Sequence, residues 1–201
     1  MKLLQVSIVV CLAAFASADV IADEDFESGV LPTGWQVWQE GDPGATEWAV
    51  CAVGDSLFMP DPAHSGTHYA WHDDNGISYS DSWLVTETYD LSTYDSVLLT
   101  FWRYAKYPGY YNYSGFYYST DPSPGSSVDF TELLELGPDN FDLWWEFGID
   151  VTTQCAGQSS VTFAWVYRGE YAQAEAIDDF YIEASTLSLD QSTWGAIKTT
   201  F

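Results

Sequence analysis

Short runs that alternate between two classes of side chain, each closed by turn residues, recur along almost the whole chain, and no segment with helical spacing separates them. Val97, Leu99 and Phe101 alternate with Leu98, Thr100 and Trp102, and Val161, Phe163 and Trp165 alternate with Thr162, Ala164 and Val166. Both runs are rich in β-branched and aromatic residues, which suit a pleated, half-buried surface. Similar runs lie at Trp48 to Val53, His68 to Asp73, Trp83 to Tyr89, Gly115 to Ser119, Thr131 to Leu136, Trp144 to Val151 and Ile177 to Glu183. Turn signals punctuate them: Leu31-Pro32-Thr33-Gly34, Gly41-Asp42-Pro43-Gly44, Asp121-Pro122-Ser123-Pro124-Gly125 and Gly137-Pro138-Asp139-Asn140. Many short strands without intervening helices predict an all-β, antiparallel two-sheet jelly-roll sandwich and exclude a βαβ fold. At 201 residues one domain is expected, and 47% apolar residues supply its core.

The charge balance narrows the partners. Asp and Glu number 30 against 5 Lys and Arg, a formal charge of −25. Such a surface repels phosphate backbones and anionic lipid headgroups, so nucleic acid and acidic membranes are excluded as primary ligands and cations are favoured. Charged residues make up only 17% of the chain, so the acidity comes from a scarcity of bases rather than from acidic tails.

Lys2, the apolar run Leu3 to Phe15 and then Ala16-Ser17-Ala18 read as a secretory signal over residues 1–18. The run is shorter than the ~20 residues that cross a bilayer as a helix. Export would place the mature chain outside the cell and remove Cys11, leaving Cys51 and Cys155 either bridged or as two buried thiols. The sandwich is assigned to residues 19–184 and a tail to 185–201. In that tail Ser192 could cap a helix with Trp194, Ile197 and Phe201 on one face, either packed back on the sandwich or serving as a docking or sorting segment.

Asp23-Glu-Asp-Phe-Glu-Ser-Gly29, Leu31-Pro-Thr-Gly-Trp35, Asp81-Ser-Trp-Leu-Val-Thr86 with Tyr89-Asp-Leu-Ser92, and Ile177-Asp-Asp-Phe-Tyr-Ile182 occur in this order. In this the chain resembles cleaved-adhesin or choice-of-anchor J jelly-roll domains, which are similar to MAM domains, over about residues 23 to 184. The resemblance implies a secreted, non-catalytic sandwich used in adhesion, often with structural calcium. The tyrosine-rich stretch from Tyr104 to Tyr118 is not part of that pattern.

In a jelly roll the first and last strands can be neighbours, which would bring Asp25 and Glu27 to Asp178 and Asp179. Calcium takes six to eight oxygen ligands and would relieve the repulsion of such a cluster. The alternative is four solvated surface acids. Alternation in Ile177 to Ile182 places Asp178 on the inward face with Phe180 and Ile182, where an unpaired carboxylate is expensive. Asp73, Asp74 and Asn75 form a second acidic group, but Asn75-Gly76 equally suits a tight hairpin turn. His64, His68 and His72 repeat every four residues, a zinc spacing on a helix; on a strand four residues span about 13 Å and the ligands cannot meet.

Tyr107, Tyr110, Tyr111 and Tyr113 flank Pro108-Gly109 and form a candidate ligand surface, since aromatic rings with polar tips stack on sugars. The alternative is an aromatic sheet face packing its own neighbours. Asn112-Tyr113-Ser114 matches a glycosylation sequon. Glu132, Glu135 and Glu146 supply paired-acid candidates for a carbohydrate-active enzyme, while no Gly-x-Ser-x-Gly elbow or cysteine-protease signature is present. The favoured reading is a secreted, non-catalytic, calcium-supported module that binds a glycan or a protein. A jelly-roll glycosidase and a structural surface component are the alternatives.

Overall fold

The structure is a computed structural model that describes residues 18–55, 60–73, 78–138 and 142–186. All but the last residue of the secretory signal expected over residues 1–18, the expected Asn75-Gly76 turn and the helix expected after Ser192 lie outside the described residues.

Two antiparallel sheets face each other, as the alternation predicts. In chain order the strands are β1 (Ala18–Glu24), β2 (Gln36–Gln39), β3 (Ala49–Ala52), β4 (His68–His72), β5 (Ser80–Val85), β6 (Ser96–Lys106), β7 (Tyr113–Ser119), β8 (Thr131–Glu135), β9 (Trp144–Asp150), β10 (Thr162–Gly169) and β11 (Ala174–Ser185). Sheet A runs β3-β4-β11-β6-β9, with β1 also paired to β11; sheet B runs β2-β5-β10-β7-β8. Strands β4 and β5 lie in different sheets. Strands β6 and β7 do too, so the tyrosine-rich loop between them crosses the sandwich.

Inward residues of both sheets meet in an aromatic core. Trp35 stacks on Trp165 at 5.8 Å, and Trp165 meets Phe180 edge-on at 5.0 Å. Phe101, Phe116 and Phe163 continue the layer, all fully buried. Packing of this kind is what makes the alternation so regular, because a one-residue slip would expose every ring.

Strand β5 stops at Val85, short of the expected Tyr89, for a local reason. The Thr86 hydroxyl accepts the Phe163 N–H at 3.0 Å in place of a ladder carbonyl, and Tyr89 rejoins Val161 only as an isolated bridge. The described residues include a four-residue helix that the alternation does not predict, α1 (Thr152–Cys155): the Asp150 carboxylate accepts the Thr152 N–H at 3.0 Å, and the Thr152 hydroxyl accepts the Val97 N–H of β6 at 3.0 Å.

Of the two alternatives left open for Cys51 and Cys155, bridged or free, the structure has the second. Cys51, on β3, packs with Tyr69 and Trp71 on the outer face of sheet A, whereas Cys155, on α1, sits in the main core. Both are free thiols, and burial pushes Cys155 up to about 12, leaving it unreactive.

Candidate ligand face and acidic cluster

Strands β1 and β4 share one side of β11, end to end. Strand β4 pairs with Glu175 to Ile177 and β1 with Phe180 to Ser185, leaving Asp178 and Asp179 at the junction. A β-bulge there puts Asp179 at φ +48°, and the extra residue resets the alternation. Ile177, Phe180 and Ile182 therefore point into the core, while Asp178 faces outward, opposite Trp102 of β6. The inward orientation expected for Asp178 is corrected by this bulge.

Asp178 is nevertheless fully buried, because the loop before β4 folds over it. Ser65 N and Asp179 N donate to its carboxylate at 3.2 and 2.9 Å. Burial pushes its carboxyl up to about 7, opposed by the Ser65 N–H and helped by the Asp179 charge. Asp179 accepts a hydrogen bond from the Ser65 hydroxyl at 2.7 Å and pairs with His64 Nδ1. The His64 ring in turn stacks on Trp102 at 3.7 Å.

Glu27 holds the far end of the same loop. Thr67 N and His68 N both donate to its Oε1 at 2.7 Å, and its carboxyl lies below the usual range because of them. Asp25 and Glu27 lie past the end of β1 rather than within it, and Asp25 is turned back on the Glu27 N–H. Among the described residues the grouping with metal-ligand spacing is His64, Asp178 and Asp179, whose donor atoms lie within 4.8 Å of one another. So the acids of the two chain ends converge on one loop, but Asp178 and Asp179 meet and Asp25 and Glu27 stand apart.

The three histidines disperse as strand geometry requires. His64 sits at this cluster, His68 lies near Glu27, and His72 is buried between the sheets with Nε2 near Thr46 O and Ser80 Oγ. The candidate enzyme acids are also apart: Glu146 is on sheet A, while Glu132 and Glu135 on β8 are bound to separate tyrosines.

The tyrosine-rich loop divides by role. Tyr107 takes φ +61° and lies under Lys106 Nζ at 5.8 Å. Tyr111 donates to Glu135 at 2.7 Å and accepts from Ser114 N. Tyr110 is 62% exposed. Tyr113 lies on the outer face of sheet B, flat over Gly115, where any Cβ would collide with its hydroxyl. Its hydroxyl donates to Glu132 at 2.5 Å, and Tyr117 adds a second bond to the same oxygen at 3.1 Å.

Beside Tyr113 stands Arg168 of β10, which sequence reasoning did not single out. Its guanidinium lies 5.1 Å from the Tyr113 ring and 5.5 Å from that of Trp83, and Nε donates to Asp81 at 2.9 Å. Trp83 Nε1 donates to the other Asp81 oxygen at 2.8 Å. Asp81 and Trp83 of β5, Arg168 of β10 and Tyr113 of β7 come from three strands, so only their cross-strand register could have revealed the cluster. Around it, at the ends of β5, β7 and β10, Tyr79, Tyr110 and Tyr171 are exposed.

Comparison with solved structures decides the architecture. The K3 and K1 cleaved adhesin domains of Lys-gingipain from Porphyromonas gingivalis W83 superpose with a TM-score of 0.60 each, at 16% and 18% identity. They cover 83% and 86% of this chain, and 99% of each adhesin domain is matched. The chain has the cleaved-adhesin fold. TmCBM61, solved in complex with beta-1,4-galactotriose, is similar at a TM-score of 0.53 and 18% identity, over 79% of this chain and 92% of its own. No protein-family model matches the sequence, and no curated protein does.

Proposed function

We propose that the protein is an exported, non-catalytic binding module that takes a neutral glycan on the loop end of the outer face of sheet B. The observation that carries this reading is Arg168, clamped between Tyr113 and Trp83 and fixed by Asp81. A planar donor fork held beside aromatic rings and carboxylate acceptors suits sugar hydroxyls, and the exposed Tyr79, Tyr110 and Tyr171 extend the stacking surface. Each described base is already paired: Arg103 with Glu175, Lys106 with Asp142 and Arg168 with Asp81. That pairing and the −25 charge favour neutral over acidic glycans and disfavour nucleic acid and anionic membranes. The similarity to a galactotriose-binding module supports the same class.

Titration with β-1,4-galactotriose and other neutral oligosaccharides, followed by calorimetry, tests the reading. Tyr110→Ala and Tyr171→Ala are each expected to cost about 1 kcal/mol, roughly fivefold in Kd. Equal affinity in both variants, or preference for a uronate polymer, would remove it.

Calcium belongs to the same proposal. The oxygen donors of Asp178 and Asp179 suit a hard cation, and a buried carboxylate raised to about 7 gains from one. His64 Nδ1 is already engaged by Asp179, which makes a nitrogen-preferring metal less apt. A bound ion would supply charge compensation, with Asp178 and Asp179 holding it. Calcium at 100 times its Kd would add about 2.7 kcal/mol of stability. The melting temperature is therefore expected to rise by several degrees between EGTA and calcium, and Asp178→Asn is expected to abolish the response; identical melting in both buffers would refute the site.

A further inference from the structure

The outer face of sheet A below the His64–Trp102 stack can be mapped directly from the strand register. One cross-strand row is Asp23, Tyr181, Thr100 and Gly148; the next is Val20, Glu183, Leu98 and Asp150. Glu146 stands opposite Trp102 in the row above. Leu98, Thr100, Gly148, Asp150, Tyr181 and Glu183 line a shallow trough of about 530 Å³. Leu98 is 41% exposed and Val20 58%, one on each side of Glu183 in the same cross-strand row.

Gly148 gives this trough its depth. A Cβ there would meet nothing nearer than Thr100 Cγ2 at 3.9 Å, and its φ is not left-handed, so neither packing nor backbone conformation calls for glycine. A strand glycine without such a reason marks a place where another chain or a ligand comes close.

We propose that this face docks a basic, amphipathic, extended segment of a partner protein. The choice of occupant rests on charge complementarity. Asp23, Glu146, Asp150 and Glu183 surround the apolar stripe, and no base lies among the residues of these rows. A neutral polymer laid over the trough would draw Asp150 and Glu183 out of water without a counter-charge, which is costly. An extended segment that alternates apolar and Lys or Arg residues would bury its apolar side on Leu98 and Tyr181 and place its cations against the rim. Such a contact steers association and fades with salt. The surface lies on the sheet opposite the glycan face, so either assignment can fail without the other.

The test uses the full chain and three ten-residue synthetic peptides: alternating Leu-Lys, alternating Ser-Lys and alternating Leu-Glu. Calorimetry at physiological salt is expected to show Leu-Lys binding at least tenfold more tightly than Ser-Lys, with no binding of Leu-Glu. Gly148→Gln, which fills the trough without changing charge and has room for its Cβ, is expected to weaken Leu-Lys binding at least tenfold with an unchanged melting temperature. Asp150→Asn with Glu183→Gln is expected to weaken it and flatten its salt dependence, whereas Glu47→Gln with Glu87→Gln, elsewhere on the chain, leaves it unaltered. Equal binding of both Lys peptides, or indifference to Gly148→Gln, would reduce the effect to diffuse attraction by an acidic protein and overturn the proposal. Loss of a neutral oligosaccharide, rather than of the peptide, on Gly148→Gln would overturn it in favour of a second glycan site.

Discussion

Replacing Glu175 alone with alanine is expected to destabilise the protein by about 3–5 kcal/mol, the usual cost of stranding one half of a buried ion pair. Arg103 is 2% exposed and Glu175 fully buried, and both point between the sheets from neighbouring strands β6 and β11. Arg103 Nε donates to Glu175 Oε1 at 2.6 Å, the Ser114 hydroxyl donates to the same oxygen at 2.7 Å, and Arg103 Nη1 reaches Leu136 O. Removing the carboxylate leaves a guanidinium with one carbonyl for company in the interior. Yet the pair itself is not a large source of stability. Arg103 Nη2 and Glu175 Oε2 have no protein partner among the described residues, so part of the desolvation cost stands uncompensated. Arg103→Met with Glu175→Leu is therefore expected to restore stability to within about 1.5 kcal/mol of the native chain. Chemical denaturation of Arg103→Met, Glu175→Leu and the double variant forms the cycle; a Glu175→Ala loss below 1 kcal/mol, or additive losses in the double variant, would show that the pair is not what holds this end of the sandwich together.

Acidification is expected to withdraw the stability that His72 contributes between pH 6.5 and 3, a loss that Asp178, with its carboxyl raised to about 7, opposes by taking up a proton in the folded chain over the upper part of the same window. The imidazole is fully buried, stacked on Tyr167 at 3.8 Å, with Nε2 shared by Thr46 O and Ser80 Oγ and Nδ1 without a partner among the described residues. Burial lowers its pKa from 6.5 to about 3, only partly offset by the Thr46 carbonyl. The unfolded chain thus takes up a proton below pH 6.5 that the folded chain refuses. Stability from this group is complete above pH 6.5 and is lost as the pH falls toward 3, at about 1.4 kcal/mol per pH unit. His72→Gln keeps a hydrogen-bonding side chain without the titration and is expected to flatten the slope between pH 6 and 4.5 by that amount. Native and variant proteins with parallel stability curves in this window would exclude His72 as the acid-labile element.

Strand content was legible because alternation is a local signal: Val97 to Trp102 and Val161 to Val166 fall inside β6 and around the start of β10, with Val97, Leu99, Phe101, Phe163 and Trp165 in the core. The neighbourhood of the first and last strands was legible through the adhesin resemblance and is realised in the β1 to β11 pairing. Other features lay beyond it for identifiable reasons. The bulge at Asp179 inverts the facing of Asp178, and no composition signal announces an aspartate with positive φ. Two cysteines in the right number cannot report that they sit in different hydrophobic clusters. The run of tyrosines reads as one surface, yet crossing between sheets sends Tyr111 to Glu135 and Tyr113 to Glu132, leaving Tyr110 exposed.

The chain alone determined that it must form pleated strands with one buried face and that its surface must be overwhelmingly anionic, since both follow from residue types taken in order. Which acids meet, where Arg168 finds its two rings and where Gly148 opens a trough were decided by tertiary structure. Those juxtapositions depend on strand register across the sheets, and register is set by the collective packing of a core whose partners lie far apart along the chain.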